Sequence, residues 1–386
     1  MAPDAGKGMV EQAMSRLAET IVGKQVAALR ERQIDVMVAM SPENATYTAG
    51  MAVPSQSLIR SRLVMCVVCA SGHSLHLVAD MEESFTRSYT GLQEVRAYNE
   101  FTEHPADALA DALRELGVGD GTVALEMDYV PVDFFERLRF RVPRARFVDA
   151  GPLLAELRAI KTPEEIGYLR KLGAMVEKAH YQAASQVKPG MTEMDLALAI
   201  YECLFREGVD GVARLVVGAG ERSTHANPDP TSRKLAPGDV VRVDVYAVLH
   251  NYLSDVARTA VVGEPNGELK EIWRKLVDAR RFALDMVRPG ARADDIYRAY
   301  YEHFTDMGLR PLQFLGHGLG LTLHEEPYVS KYGHAVLQEG MVLCIEPYTT
   351  LPDCGFQVED ELVVTSSGFE LITGRQFPVD DLIQIG

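Results

Sequence analysis

Val187-Lys188-Pro189-Gly190 recurs one hundred residues later as Val287-Arg288-Pro289-Gly290. Each tetrapeptide precedes a helix-like stretch that contains Tyr-Glu (Tyr201-Glu202, Tyr301-Glu302) and stops at a glycine, Gly208 or Gly308. Leu235-Ala236-Pro237-Gly238 then opens a strand that reaches Asp244, six residues after its glycine. Leu337-Gln338-Glu339-Gly340 opens one that reaches Glu346 at the same offset. Each acid is followed by a second strand-like segment with another acid, Asp255 or Glu359. This order predicts two helix-helix-hairpin units related by a pseudo-twofold axis. Each unit contributes one pair of carboxylates to a shared centre.

The strand Val240–Val245 shows why those carboxylates matter. Period-2 alternation puts Val241, Val243 and Val245 on one face and Arg242, Asp244 and Tyr246 on the other. Asp244 alone could be a solvent-facing residue on an edge strand. That explanation weakens as the others are added. Glu346 follows the apolar run Val342-Leu343-Cys344-Ile345, and Glu359-Asp360-Glu361 puts three acids ahead of Leu362-Val363-Val364-Thr365. Converging buried acids cannot neutralise one another, and bound cations resolve the cost most simply.

Histidines complete the pattern. Gly316-His317-Gly318-Leu319-Gly320 leads to His324-Glu325-Glu326-Pro327. The glycines allow a tight bend that brings an imidazole close to a metal. His225 falls in the first repeat roughly where His324 falls in the second. We read these two as a pair flanking the metals and His317 as the ligand.

The first 158 residues alternate helix and strand signals and are expected to form an α/β domain. Expected helices lie near Met9–Arg32, Pro105–Leu116 and Pro131–Leu138. Expected strands are Asp35–Met40, Leu63–Ala70, Ser74–Ala79, Thr122–Glu126 and Ala145–Val148. The segment Ser41–Gly50 reads as a turn-rich loop. Cys66 and Cys69 form a C-x-x-C whose members point to opposite faces of a strand, which favours two core thiols. A capping box at Thr162-Pro163-Glu164-Glu165 marks the start of the second domain, 159–386.

Whole-chain properties exclude several roles. The 386 residues include 39 Lys and Arg against 55 Asp and Glu, a formal charge of −16. That surface repels nucleic acid and anionic lipid. No apolar run reaches membrane-spanning length, the N-terminus lacks a signal-peptide core, and five cysteines suit reduced thiols. The expected setting is the cytoplasm.

Together these residues resemble the pita-bread metallohydrolases: methionine aminopeptidase, aminopeptidase P, prolidase and the metal-free creatinase. The similarity is to the family's two-domain branch and spans the whole chain. It is carried by Gly238-Asp239 with Asp244, by Ser254-Asp255-Val256-Ala257-Arg258-Thr259, by the His317 and His324 segments, by Gly340-Met341 with Glu346-Pro347, and by Val358-Glu359-Asp360. The implied fold is an α/β N-terminal domain followed by an α+β pita-bread domain with an internal pseudo-twofold repeat. The implied cofactor is a pair of divalent ions held by Asp244, Asp255, His317, Glu346 and Glu359. Manganese is expected first, with cobalt, iron or zinc as alternatives. Asp255 and Glu359 would touch both ions. A water acidified by the ions would attack an amide bond, Glu346 would take its proton, and His225 and His324 would orient substrate. The implied activity is that of an Xaa-Pro dipeptidase or aminopeptidase acting on a short peptide or other small molecule. The implied assembly is a homodimer whose N-terminal domain leans over the partner's site. Tyr47, Arg60 and Arg62 lie in and after the segment that would do this, and either arginine could clamp a carboxylate.

Three positions depart from the family pattern, one of them Asn251, which stands where the family often has glycine. Proline-directed members carry arginine two residues before the last glutamate ligand, where this chain has Gln357. A small residue follows the first ligand by two, where this chain has Tyr246. Gln357 and Tyr246 are expected to face substrate. They leave room for ectoine-type ring hydrolases and dimethylsulfoniopropionate-type lyases of the same fold. An inert binding protein on this fold would have lost metal ligands, and none is lost here.

Overall fold

The computed structural model describes residues 4–386. The chain divides into two compact units, one ending at Arg158 and the other covering Ala159–Gly386.

The first unit contains α1 (Asp4–Glu31), β1 (Val36–Ala39), α2 (Pro42–Ala49), β2 (Met65–Cys69), β3 (Ser74–Ala79), α3 (Glu83–Tyr89), β4 (Glu94–Tyr98), α4 (Pro105–Glu115), β5 (Thr122–Leu125), α5 (Val132–Arg141), β6 (Arg146–Asp149) and α6 (Gly151–Ala159). Its six strands form one mixed sheet in the order β4-β3-β2-β1-β5-β6. The strand Val36–Ala39 pairs antiparallel with β2 and parallel with β5. Cys66 and Cys69 pack in different core clusters on opposite faces of the sheet, as period-2 geometry requires, and both thiols are free.

The segment Ser41–Gly50 is a helix with caps, not a turn-rich loop. Ser41 Oγ accepts the Asn44 N–H, Pro42 occupies the first turn, and Gly50 closes the helix at φ 71°. Tyr47 is therefore a core residue, 3% exposed, with its hydroxyl donating to Leu157 O at 3.0 Å. It cannot reach a substrate. The elements α3, β4 and α6 were not foreseen.

The second unit contains α7 (Pro163–Gln186), α8 (Glu193–Glu207), β7 (Gly211–Ala219), β8 (Val240–Leu249), β9 (Tyr252–Leu253), β10 (Val256–Val262), α9 (Gly267–Leu284), α10 (Ala293–Asp306), β11 (Phe314–Gly318), β12 (Glu325–Ser330), β13 (Val342–Ile345), β14 (Tyr348–Thr350), β15 (Gly355–Gln357), β16 (Asp360–Val364), β17 (Phe369–Leu371) and β18 (Ile383–Ile385). One sheet runs β18-β10-β8-β7, with β9 on β8. A second runs β12-β11-β13-β16-β17, and β14 and β15 form a separate hairpin.

The internal repeat is visible in the backbone. Gly190 donates to Leu235 O at 2.8 Å, and Gly290 donates to Leu337 O at 2.9 Å. Gly238 donates to Val262 O at 2.8 Å, and Gly340 donates to Val364 O at 2.9 Å. Gly190 and Gly290 have φ of 90° and 83°, and Gly238 and Gly340 have 90° and 86°. These left-handed conformations explain why glycine recurs at those places. Each repeat also has its own core. The α7–α8 pair packs Leu172, Val176 and Ile200 on Val217, Val243 and Val245. The α9–α10 pair packs Trp273, Leu276 and Phe304 on Leu315, Leu343 and Leu362. Helices thus take one face of each sheet, and the acids emerge on the other.

Candidate metal centre

Strand β8 is not an edge strand: β7 and β10 flank it on both sides. The solvent-facing explanation for Asp244 therefore fails. Arg242, Asp244 and Tyr246 are 1%, 4% and 8% exposed. Asp255 lies just before β10, His317 is inside β11, Glu346 follows β13, and Glu359 precedes β16. All are buried or nearly so.

The strand β11 can lie close to β13 only because residue 316 is glycine. A Cβ there would fall 2.0 Å from Cys344 O. The glycines around His317 thus serve close strand approach rather than a bend. His317 pairs in register with Cys344, so their side chains share a face. One potential ligand atom from each of Asp255, His317, Cys344 and Glu359 lies within 4.8 Å of the others. Cys344 was not foreseen as part of this group. Its position on β13, two residues before Glu346, was the available signal.

His317 Nδ1 lies 2.9 Å from Gly318 O, so the proton belongs on Nδ1 and the lone pair on Nε2. That Nε2 lies 3.2 Å from Glu346 Oε1 and 3.5 Å from Asp255 Oδ2. The ring of His324 stacks on His317, with centroids 3.7 Å apart and planes 15° from parallel. Burial and then the neighbouring His317 hold the His324 imidazole below its ordinary range.

Burial and mutual repulsion dominate the electrostatics of these acids. Burial first, and neighbouring carboxylates next, push Asp255 and Glu359 well above the ordinary range. Asp244 is pushed up to about 6, by burial against the opposing pull of Arg242. Asp244 Oδ1, Asp255 Oδ1, His317 Nε2, Glu346 Oε1 and Glu359 Oε1 are buried and have no hydrogen-bond partner among the described residues. Five unpartnered atoms of this chemistry, four oxygens and one imidazole nitrogen, suit a divalent cation.

The remaining oxygens are held by the protein. Tyr246 donates to Asp244 Oδ2 at 3.0 Å. Gln357 Nε2 donates to Glu346 Oε2 at 3.1 Å and approaches Glu359 Oε2 at 3.5 Å. Asp255 N–H donates to Glu361 Oε1 at 2.8 Å. A fully buried ion network lies beneath: Arg258 reaches Asp360 at 2.7 Å and Glu177 at 3.2 Å, and Arg280 reaches Asp360 at 2.6 Å. It ties β10 of one repeat to β16 of the other.

His225 follows the 3-10 turn Gly220–Thr224 on an exposed loop. In the first unit Arg62 is engaged, with Glu100 at 2.8 Å and Glu82 at 3.7 Å, and only 17% of its side chain is exposed. That removes it as a substrate clamp. Arg60 is exposed.

The model of metallopeptidase family M24 matches residues 167–366, the whole length over which these residues converge. The chain belongs to metallopeptidase family M24. The M24 match is accompanied by a Creatinase/Prolidase N-terminal domain over residues 22–160, so the resemblance to the two-domain pita-bread branch and its fold class stands. The family is one of metal-dependent peptidases. The Xaa-Pro dipeptidase of Pyrococcus furiosus is 27% identical over 357 residues, covering 91% of this M24 chain and 96% of that protein. The probable dipeptidase PepE of Mycobacterium tuberculosis is 35% identical over 223 residues, 57% of this chain, and the chain spans 60% of that relative's length. The crystal structure of dipeptidase PepE from Mycobacterium ulcerans has a TM-score of 0.83 at 28% identity, covering 96% of this chain and 98% of that one. No helix among the described residues is long and apolar enough to cross a membrane.

Proposed function

We propose that this chain hydrolyses the amide bond of a dipeptide or short peptide with proline at the second position. Asp244, Asp255, His317, Glu346 and Glu359 hold two divalent cations for the reaction, with manganese favoured. The observation that carries this reading is the set of five buried atoms of ligand chemistry without hydrogen-bond partners, with His317 Nε2 beside Glu346 and Asp255, and Glu359 in the same cluster. Leaving them bare would be costly, and cations remove the cost.

When bound, the cations polarise the scissile carbonyl and make a water acidic enough to attack at neutral pH. The chain's own groups do the rest. Glu346, with Oε1 beside His317 Nε2, accepts the proton released in the attack. His324, stacked against His317, and His225, on its exposed loop, orient the peptide and stabilise the charge that develops on its carbonyl oxygen. Tyr246 and Gln357 bound the space beside the carboxylates and shape the substrate that fits. The active form is a cytoplasmic homodimer, in which the exposed Arg60 of one copy clamps the peptide carboxylate at the other's centre.

The test is turnover, with manganese present, of Xaa-Pro dipeptides against a panel of cyclic amidines and sulfonium zwitterions. Turnover of the dipeptides is expected. If every Xaa-Pro peptide is inert while an amidine or a sulfonium compound is consumed, the reading passes to a ring hydrolase or a lyase.

A further inference from the structure

Arg242 is among the most deeply buried charged residues of the chain, at 1% exposure, and none of the roles above uses it. It lies two residues before Asp244 on β8. Its guanidinium is spread over two sets of partners. Nη1 donates to Gln357 Oε1 at 2.8 Å. Nε donates to Ser223 O at 3.2 Å, and Nη2 donates to Ala226 O at 2.6 Å and to His225 O. One side chain therefore touches both the amide that faces Glu346 and the backbone of the loop that carries His225.

The Gln357 amide has two unlike ends, and Arg242 decides which end faces which way. Arginine only donates, so it fixes the carbonyl end toward itself. The NH2 end is left pointing at Glu346 Oε2 and Glu359 Oε2. The backbone of Gln357 cannot rotate away. Thr259, the register partner of Arg242 in the β8–β10 ladder, holds Gln357 N–H at 2.9 Å and donates to Gln357 O at 2.8 Å. With the outer oxygen of each glutamate turned to the amide, Glu346 Oε1 and Glu359 Oε1 stay unpartnered and face the centre. Without the guanidinium, the buried Gln357 carbonyl loses its donor, and the amide is held at its NH2 end alone.

The loop side is equally tied. Tyr348 donates to Thr224 O at 2.8 Å, and Gly355 N–H donates to Ser223 Oγ at 2.8 Å. A Cβ at Gly355 would fall 2.3 Å from Ser223 O, so the β14–β15 hairpin seats directly on the loop. Arg242 lies 5.4 Å from the Tyr348 ring centre.

We propose that Arg242 is a positioning residue that sets both the metal-facing geometry of Glu346 and Glu359, through Gln357, and the placement of the His225 loop. The proposal rests on the metal reading above. Gln357 carries only the first function of Arg242, and the loop carbonyls carry only the second.

The experiment uses the full chain, made metal-free and titrated with Mn2+ alone, followed by steady-state kinetics on a turned-over substrate. Arg242→Leu and Gln357→Leu are each expected to weaken Mn2+ binding by about tenfold or more. The double variant Arg242→Leu/Gln357→Leu should be no weaker than the worse single, since both break one link. Arg242→Leu should also raise KM severalfold more than Gln357→Leu does, because only the loss of Arg242 frees the His225 loop. Arg242→Leu/Gln357→Arg, which puts a guanidinium directly beside the two glutamates, should recover Mn2+ affinity without recovering KM. The recovery also shows that Arg242→Leu chains fold. Unchanged affinity in Arg242→Leu, or losses that add in the double variant, would overturn the proposal. A parent chain that binds no Mn2+ removes the metal reading and the proposal with it.

Discussion

His317 and His324 stack ring on ring, 3.7 Å between centroids, with His317 Nδ1 anchored to Gly318 O. His317 thereby presents Nε2 to the buried carboxylates, while His324 is exposed. His324→Ala is expected to cost about 10²–10⁴ in kcat/KM, the usual weight of a positioned acid or base. Its metal content should remain that of the parent. His324→Phe keeps an aromatic ring on His317 but no proton and should be equally impaired. Metal analysis beside kinetics separates the two roles, and loss of metal in His324→Phe would contradict them.

Asp255 has an unpartnered Oδ1, and its Oδ2 lies 3.5 Å from His317 Nε2. Asp255→Ala should lose activity and metal binding together. Full activity in that variant would reject the ligand assignment.

The metal-free chain should be sensitive to alkali. Burial raises Asp244 to about 6 and Glu361 to about 8, and raises Asp255 and Glu359 well above their ordinary range. A folded-state pKa above the unfolded one gives stability that is full below the ordinary carboxylate range. That stability is lost as pH rises through the folded value. The Tm of metal-free protein should therefore fall as pH rises from about 5, through about 6 for Asp244 and about 8 for Glu361. Mn2+ should restore it most at the alkaline end. A metal-free Tm that rises over that interval would contradict the assignment of uncompensated acids.

Asp360 behaves differently from its neighbours. Burial alone would raise its carboxyl, but Arg258 and Arg280 outweigh burial and hold it below its ordinary range. Asp360→Asn should leave the two guanidiniums uncompensated and cost about 3–5 kcal/mol. Removing the exposed partner in the Arg170–Glu370 pair, as Glu370→Gln, should cost under about 1 kcal/mol. Denaturant unfolding of the two variants measures the difference.

The sequence revealed the repeat because the same left-handed turn recurs at Gly190 and Gly290 and at Gly238 and Gly340, and glycine is the residue that tolerates it. The acids were legible because alternation on β8 separates valines from charges. Ser41–Gly50 was misread because Ser, Pro, Asn and Gly mark both turns and helix ends. Only the spacing between Ser41 and Gly50 shows that a short helix fits between its caps. Arg242 and Gln357 are 115 residues apart, so nothing local announces their bond. Cys344 looked like one apolar residue in a core strand, and its place beside the acids depends on register with His317. Arg62 looked available because its partners Glu82 and Glu100 come from other elements.

The central claim is that Asp244, Asp255, His317, Glu346 and Glu359 form one dinuclear centre. Elemental analysis of protein purified without chelator, and again after reconstitution with Mn2+, tests it most directly. Two ions per chain are expected, falling together in Asp255→Ala. Fewer than about one tightly bound or reconstitutable ion per chain would contradict the account.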